Sequence, residues 1–393
     1  MKISLNFSLA ALFYLLACIP MNTAYPSLNI LLRYCQLVGF VWSCFVFISK
    51  KQWKIKWYYP LWILAGLMLV STAYNDLGAL YNCALWLMRM FIVVILLEDM
   101  MQRNIRRTIS WIALIWSIFF FIEAFSLVTG CFGFTHTNNT QGLPNYFFGI
   151  RNEVNQYIIY AVLFCFLAMY LKDFLGTAEL LLTSACGIFF VLSQSVSVSI
   201  VGIAAFVGVY VISKIIKRRK SWKYIIALIA IAIFSFIVFQ NTVMFQTILV
   251  DWLNEDMTLN GRLLLWKQAI QQSTGIHALL GYGYSPDYTL CIGTYAVNHP
   301  HNQYIQFIFN YGYPGLILYL YMLYISCRKI LNVQNTKIRM VFIATLIANA
   351  IMSISSRNYF YLTAQMFYVL VLHADEIGQL AENRIQRRRI RWK

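Results

Sequence analysis

The 393-residue chain carries 31 Lys and Arg against 14 Asp and Glu, a formal net charge of +17, yet only 11% of its residues are charged and 60% are hydrophobic. Soluble domains carry roughly 25% charged residues, so a surface built to face water is excluded, and the mean hydropathy of +0.64 agrees. Nucleic-acid binding is excluded by distribution: the basic residues collect in short segments between apolar runs instead of forming one basic face.

Taken in chain order, the apolar runs fall at roughly 4–21, 28–49, 58–75, 77–97, 108–129, 154–171, 180–196, 198–213, 224–244, 303–326, 340–357 and 359–373. Runs of about 20 apolar residues cross a hydrocarbon core of about 30 Å as helices. They mostly lack the polar face at period 3.6 that a soluble helix would show. The stretch from Ile3 to Met21 follows one lysine but has no small-residue cleavage site, so it reads as a first span and not a signal peptide. The nine cysteines are dispersed singly with no C-x-x-C pair, and only Cys131 and Cys291 fall in outer loops. The expected fold class is an all-α polytopic integral membrane protein of about twelve transmembrane helices. It forms a single membrane domain over 1–393, with outer loops at 130–153 and 245–302.

Short-loop Lys and Arg set orientation in membranes. Lys50-Lys51-Lys54-Lys56, Arg103-Arg106-Arg107, the run Lys214 to Lys223, Arg328-Lys329-Lys337-Arg339 and the tail Arg384 to Lys393 all fall on one side, joined by Lys2 and Lys172. That side is cytoplasmic, and both termini lie there. These clusters read as topology signal and anionic-lipid contact.

Arg33, Arg89, Arg151, Arg262, Lys267 and Arg357 break the pattern. Charge within a span or on the wrong side is costly and marks a functional candidate. Each has a bland reading as the partner of an acid such as Asp76, Glu123, Glu153 or Asp287. Together, the arginines point to an anion site on the outer face.

The large outer loop contains NGRLLLWKQAIQQ, Asn260 to Gln272. Asn260 is suited to cap a helix with Leu263, Trp266 and Ile270 on one face. The expectation is a short amphipathic helix at the membrane surface, with Trp266 at headgroup level. Arg262 then sits in its first turn, where backbone N–H groups and a guanidinium fork suit phosphate oxygens. A flexible GYGYSPDY turn, Gly281 to Tyr288, leads to His299 and His301 just before the tenth span. Histidine is the side chain best suited to accept a proton near neutral pH. The H-x-H pair also admits a metal-ligand reading and a purely structural one.

The order G-R-x-x-x-W (Gly261 to Trp266), G-Y-G (Gly281 to Gly283), H-N-x-x-x-Q (His301 to Gln306) and Y-G-Y-P-G (Tyr311 to Gly315) resembles the O-antigen ligase and polymerase superfamily. This superfamily includes Wzy-type polymerases of O-antigen, capsule and exopolysaccharide, and the ligases that attach O-antigen to lipid A core. G-I-R-N at Gly149 to Asn152 looks like a second family element. The resemblance implies a metal-independent, inverting, membrane-embedded glycosyltransferase, GT-C-like, that needs no cofactor and acts on undecaprenyl-pyrophosphate-linked oligosaccharide. It assigns catalytic roles to His301 and Arg262. Arg151, Arg357, Arg89, Arg33, Asn302 and His299 are the residues expected to hold pyrophosphate and glycan. Many members carry an arginine in a T-x-S-R element closing a span. Here Ser193-Gln194-Ser195-Val196 stands there, with Val196 in the arginine's place, so Arg33, Arg89 or Arg357 is left to replace that contact.

Bond breaking fits these residues. Cleaving an anomeric C–O bond to pyrophosphate requires charge stabilisation on the leaving group, and a sugar hydroxyl must lose its proton to a base. The leading expectation is a polymerase of lipid-linked repeat units in the bacterial inner membrane, with its active site on the outer face. Its expected partners are membrane lipid, a chain-length regulator and a flippase, with no nucleic acid. The alternatives are an O-antigen ligase with a lipid A core acceptor, and a lipid-glycan transporter or flippase. Against the latter, the sequence has no repeated halves or paired Gly/Pro-broken spans.

Overall fold

In lipid every backbone polar group must be satisfied within the chain, so apolar runs become helices. The computed structural model describes residues 5–19, 26–130, 145–150, 154–171, 174–194, 196–216, 219–239, 262–284, 290–292, 295–297, 299–356 and 362–391. Its helices are α1 (Leu5–Cys18), α2 (Pro26–Ser49), α3 (Tyr59–Asn75), α4 (Leu77–Thr129), α5 (Asn155–Leu171), α6 (Phe174–Ser193), α7 (Ser197–Ile215) and α8 (Arg219–Phe239). They continue as α9 (Arg262–Gln272), α10 (His277–Leu280), α11 (Gln303–Asn332), α12 (Thr336–Met352), α13 (Leu362–Leu372) and α14 (Ala374–Arg391).

Every run expected to span overlaps one of these helices. Among the described residues, four helices are long and apolar enough to cross a bilayer: Ser27–Ser49, Leu77–Thr129, Leu175–Ser193 and Gln303–Asn332. Shorter apolar helices such as Tyr157–Leu171 and Leu362–Leu372 accompany them.

The centre of the bundle is α4, which packs against α1, α2, α3, α5, α6 and α13. Its segment Ile92 to Leu97 is buried on every side, as expected of a helix enclosed by others. The loop expected between the fourth and fifth runs is a single break. Asn104 leaves helical geometry (φ −164°, ψ 93°), and its Oδ1 accepts from the backbone N–H of Arg107 at 2.9 Å, capping the second half. By contrast, α2 exposes Ile30, Tyr34, Leu37, Val41, Phe45 and Ile48. Their three- and four-residue spacing draws one apolar stripe along the helix, the pattern of a lipid-facing surface.

Buried charge at the other end of the bundle is fully occupied. Glu98 accepts from Tyr58 Oη at 2.6 Å and Gln102 Nε2 at 2.7 Å, and His373 Nε2 lies 2.9 Å from the same carboxylate. A carboxylate buried without such partners would be strongly destabilising. The knot joins the start of α3, the middle of α4 and the turn between α13 and α14.

Two small antiparallel hairpins, which helical patterning does not signal, lie in the long segments between apolar runs. β1 (Asn145–Tyr146) pairs with β2 (Gly149–Ile150), matching Asn145 with Ile150. β3 (Leu290–Ile292) pairs with β4 (Tyr295–Val297), matching Cys291 with Ala296.

Candidate functional site

Two sequence motifs meet where α11 begins. Asn302 has extended backbone (φ −141°, ψ 120°), and its Oδ1 accepts from the N–H groups of Tyr304 at 3.0 Å and Ile305 at 3.1 Å. It is a side-chain N-cap, fully buried, so its oxygen is spent on helix initiation. Immediately before it, His301 sits at φ 54°. A non-glycine residue in the left-handed region carries backbone strain and is held there by its surroundings. The His299 and His301 rings meet edge to face with centroids 4.1 Å apart. Both are half-buried.

The short helix α9 pins this segment from the side. Trp266 Nε1 donates to the Pro300 carbonyl at 2.6 Å. Leu263, Leu265, Trp266 and Ala269 form a buried cluster with Ile305 and Phe309 of α11 and Leu290 of β3. The expected amphipathic helix therefore exists, but its apolar face is packed on protein, and Trp266 is only 1% exposed. Helical spacing predicts an apolar face and is silent about whether lipid or protein covers it. Arg262 is the first residue of α9 and half-buried. Its expected cap, Asn260, lies outside the described residues. Gln268 adds a second tie: its side chain both donates to and accepts from the backbone of Cys291, at 2.9 Å and 3.1 Å.

The Y-G-Y-P-G and G-Y-G motifs explain one another. Pro314 has no N–H to offer the Asn310 carbonyl, and Gly312 leaves helical geometry at φ 66°, ψ −175°. The carbonyls of Phe309 and Asn310 are instead met by the N–H groups of Tyr282 and Gly283, both at 2.9 Å. The approach is too close for side chains. A Cβ on Gly281 (φ 66°) would stand 2.3 Å from the Asn310 carbonyl carbon, and one on Gly312 would stand 2.5 Å from the Ala278 oxygen. The Tyr282 ring then stacks on His277 at 4.0 Å and leans on Phe309 at 5.0 Å. In the part of α11 ahead of the break, Gln306 Nε2 donates to Asn310 Oδ1 at 2.5 Å, and Asn310 Nδ2 donates to the Tyr284 carbonyl at 3.2 Å.

Of the remaining arginines expected at an anion site, Arg89 and Arg33 lie among the described residues. Arg89 donates through Nε and Nη2 to the carbonyls of Ala17 (3.0 and 2.9 Å) and Ile19 (3.0 Å). A cation there satisfies the open carbonyls at the end of α1 and complements its dipole. Arg33 is exposed on α2 between Ile30 and Leu37 of the lipid-facing stripe, a position from which a long side chain reaches the headgroups. Arg151 and Arg357 lie outside the described residues.

Val196, where the resemblance to the family leads one to expect an arginine, is buried, at 2% exposure, just before α7. Its neighbour Gln194 accepts from Tyr146 Oη at 2.9 Å, and Glu123 accepts from the Phe148 N–H at 2.9 Å. These bonds dock the β1–β2 hairpin onto α4 and the α6–α7 turn. Sequence reading missed Ser71 and Asn75 as parts of the site's frame. No local pattern marks them, since each acts on a partner distant in sequence.

This arrangement is that of a multi-pass α-helical membrane protein in which the segment 262–284 is built into a broken helix. Residues 180–320 match the family model of O-antigen ligase. The match supports the O-antigen ligase and polymerase superfamily, membrane glycosyltransferase-like enzymes acting on lipid-linked oligosaccharides. It takes in Arg262, His299, His301 and Asn302 and leaves Arg33, Arg89, Arg151 and Arg357 outside. No curated protein matches the chain.

Proposed function

We propose that this protein polymerises lipid-linked polysaccharide repeat units of O-antigen, capsule or exopolysaccharide type. It does so at the outer face of a bacterial inner membrane, as a twelve-span single domain with both termini inside. The observation that carries the reading is that α9 ties Arg262 and His301 into one body, through the Trp266–Pro300 bond and the cluster around Phe309.

The acceptor is a sugar hydroxyl at the non-reducing end of one lipid-linked unit. Its oxygen attacks the anomeric carbon of the donor glycan from the face opposite the pyrophosphate, inverting that centre. The anomeric C–O bond breaks, its electron pair leaves on the phosphate oxygen, and undecaprenyl pyrophosphate is released. His301 takes the hydroxyl proton, and Arg262 at the start of α9 stabilises the departing charge. Fixed cations supply this stabilisation with no metal or cofactor in the step. In this reading Asn302 sets the backbone of His301, His299 packs beside it, and Arg151 and Arg357 contribute field from the outer loops. Arg89 and Arg33 have the lesser part, given where their guanidinium groups are held. A flippase delivering the donor and a chain-length regulator are the protein partners that go with this reading.

The second reading is a ligase transferring finished glycan to lipid A core, which the same family match supports equally. Deleting the gene and resolving the surface polysaccharide by gel separates the two. The polymerase reading expects the ladder to collapse to single repeats. Full-length lipid-linked chains left unattached would overturn it in favour of the ligase.

A further inference from the structure

The match to the known family begins at residue 180, yet the outer half of α11 is fastened by α3, over a hundred residues upstream. The last turns of α3 present Ser71, Thr72 and Asn75 to the interlocked G-Y-G turn and helix break. Ser71 Oγ lies within hydrogen-bonding reach of two carbonyls, Leu280 and Asn310, the latter at 2.9 Å. With one proton, it serves one of them at a time. Asn75 Nδ2 donates to the Gly281 carbonyl at 3.0 Å and to the Ser71 carbonyl at 2.8 Å. Thr72 Oγ1 accepts from the Tyr284 N–H at 3.0 Å while donating to the Met68 carbonyl at 2.6 Å. Gly283 passes so close that its Cβ would stand 3.0 Å from the Thr72 Cα. Ser71 and Thr72 are fully buried.

We propose that Ser71, Thr72 and Asn75 of α3 are positioning residues for glycosyl transfer, clasping the Leu280–Tyr284 turn into the break of α11 and so fixing the half-helix that begins at His301. The inference rests on the reading of His301 as the base. The physical argument is that a helix broken at Gly312 and Pro314 loses the continuous ladder that would otherwise fix its outer half relative to its inner half. Its orientation is then set by what fills the break. The turn fills it through two backbone bonds, and α3 holds the turn through three side chains. Small errors in the placement of a reacting group cost rate steeply, so loosening the clasp should lower turnover and leave donor affinity in place.

The test is hydrogen–deuterium exchange of the full-length protein in lipid nanodiscs, comparing the native chain with a Ser71→Ala, Asn75→Ala double variant. Exchange at Tyr282 and Gly283 should accelerate roughly tenfold through local opening, while α12 stays unchanged. Turnover of lipid-linked repeat units should fall about tenfold with the donor KM unchanged, and Ser71→Thr, which keeps the hydroxyl, should retain native protection of the turn. Unaltered exchange at Tyr282 and Gly283 would overturn the clasp. Acceleration spread equally through α12 would overturn it too, since the two residues would then serve only general packing. Faster local exchange with native turnover would overturn the positioning role. If the native protein elongates no lipid-linked glycan at all, the functional reading fails, and the exchange data alone still decide the clasp.

Discussion

Replacing His301 by alanine should abolish polymer formation while leaving the folded protein and its donor affinity intact. A general base contributes typically 10²–10⁴-fold, so turnover per folded molecule should fall within that range. The structure places the imidazole on a residue at φ 54°, directly ahead of a helix capped by its neighbour Asn302. Histidine and alanine both bear that cost, of order 1–3 kcal/mol, so the exchange leaves the backbone cost in place while removing the ring contact with His299. Stability should change little. His301→Gln keeps hydrogen-bonding capacity but cannot accept a proton, and it separates the two roles. Gln should be nearly as inactive as Ala if proton transfer is the function. Near-native turnover of well-folded His301→Gln protein would reduce His301 to a structural contact. Acidification should also slow the native enzyme, because a protonated imidazole cannot take the hydroxyl proton. His299→Ala should cost less, since His299 lies three residues upstream of the cap Asn302, with Pro300 and His301 between them.

Arg262 should tolerate even its closest substitute badly. At the first position of α9 a guanidinium offers paired donors beside the open N–H groups of the helix start, geometry that suits phosphate oxygens. Lysine keeps the charge but presents a point donor, so Arg262→Lys is not a conservative change. Removing one preorganised donor to developing charge costs about 10²–10³-fold in turnover, and Arg262→Ala should lose at least that. Because the buried side of α9 is formed by Leu263, Leu265, Trp266 and Ala269, the helix should remain docked in both variants. The measurement is turnover at saturating donor, normalised to folded protein. Near-native chain length with Arg262→Ala at normal protein level would remove the anion-site account at its strongest point.

The sequence carried the helices well because lipid leaves the backbone few other choices, and a run such as Ile92 to Leu97 reads as part of a span without any tertiary information. Arg262 and His301 are proposed from the same reading, on their charge and chemistry. What it could not carry were partnerships. Trp266 has the spacing of a lipid-facing residue and is instead sealed against Pro300 and Phe309, because periodicity describes one helix face and never its neighbour. Arg89 looked like an intramembrane anion contact, but its bonds go to the carbonyls ending α1. Nothing in local sequence records where another helix stops. Gly281 reads as part of a flexible turn and Gly312 as part of a separate motif within a span. Only their juxtaposition reveals two backbones packed too closely for any Cβ.

Glycosyl transfer between lipid-linked units is tested most directly by reconstituting the purified protein in liposomes with lipid-linked repeat units and separating the products by size. The account predicts a ladder of lipid-linked chains growing with time, release of undecaprenyl pyrophosphate in step with each bond formed, and no ladder with His301→Gln. Repeat units that cross the bilayer but keep their original length, with no pyrophosphate lipid released, would contradict it and leave a transporter in its place.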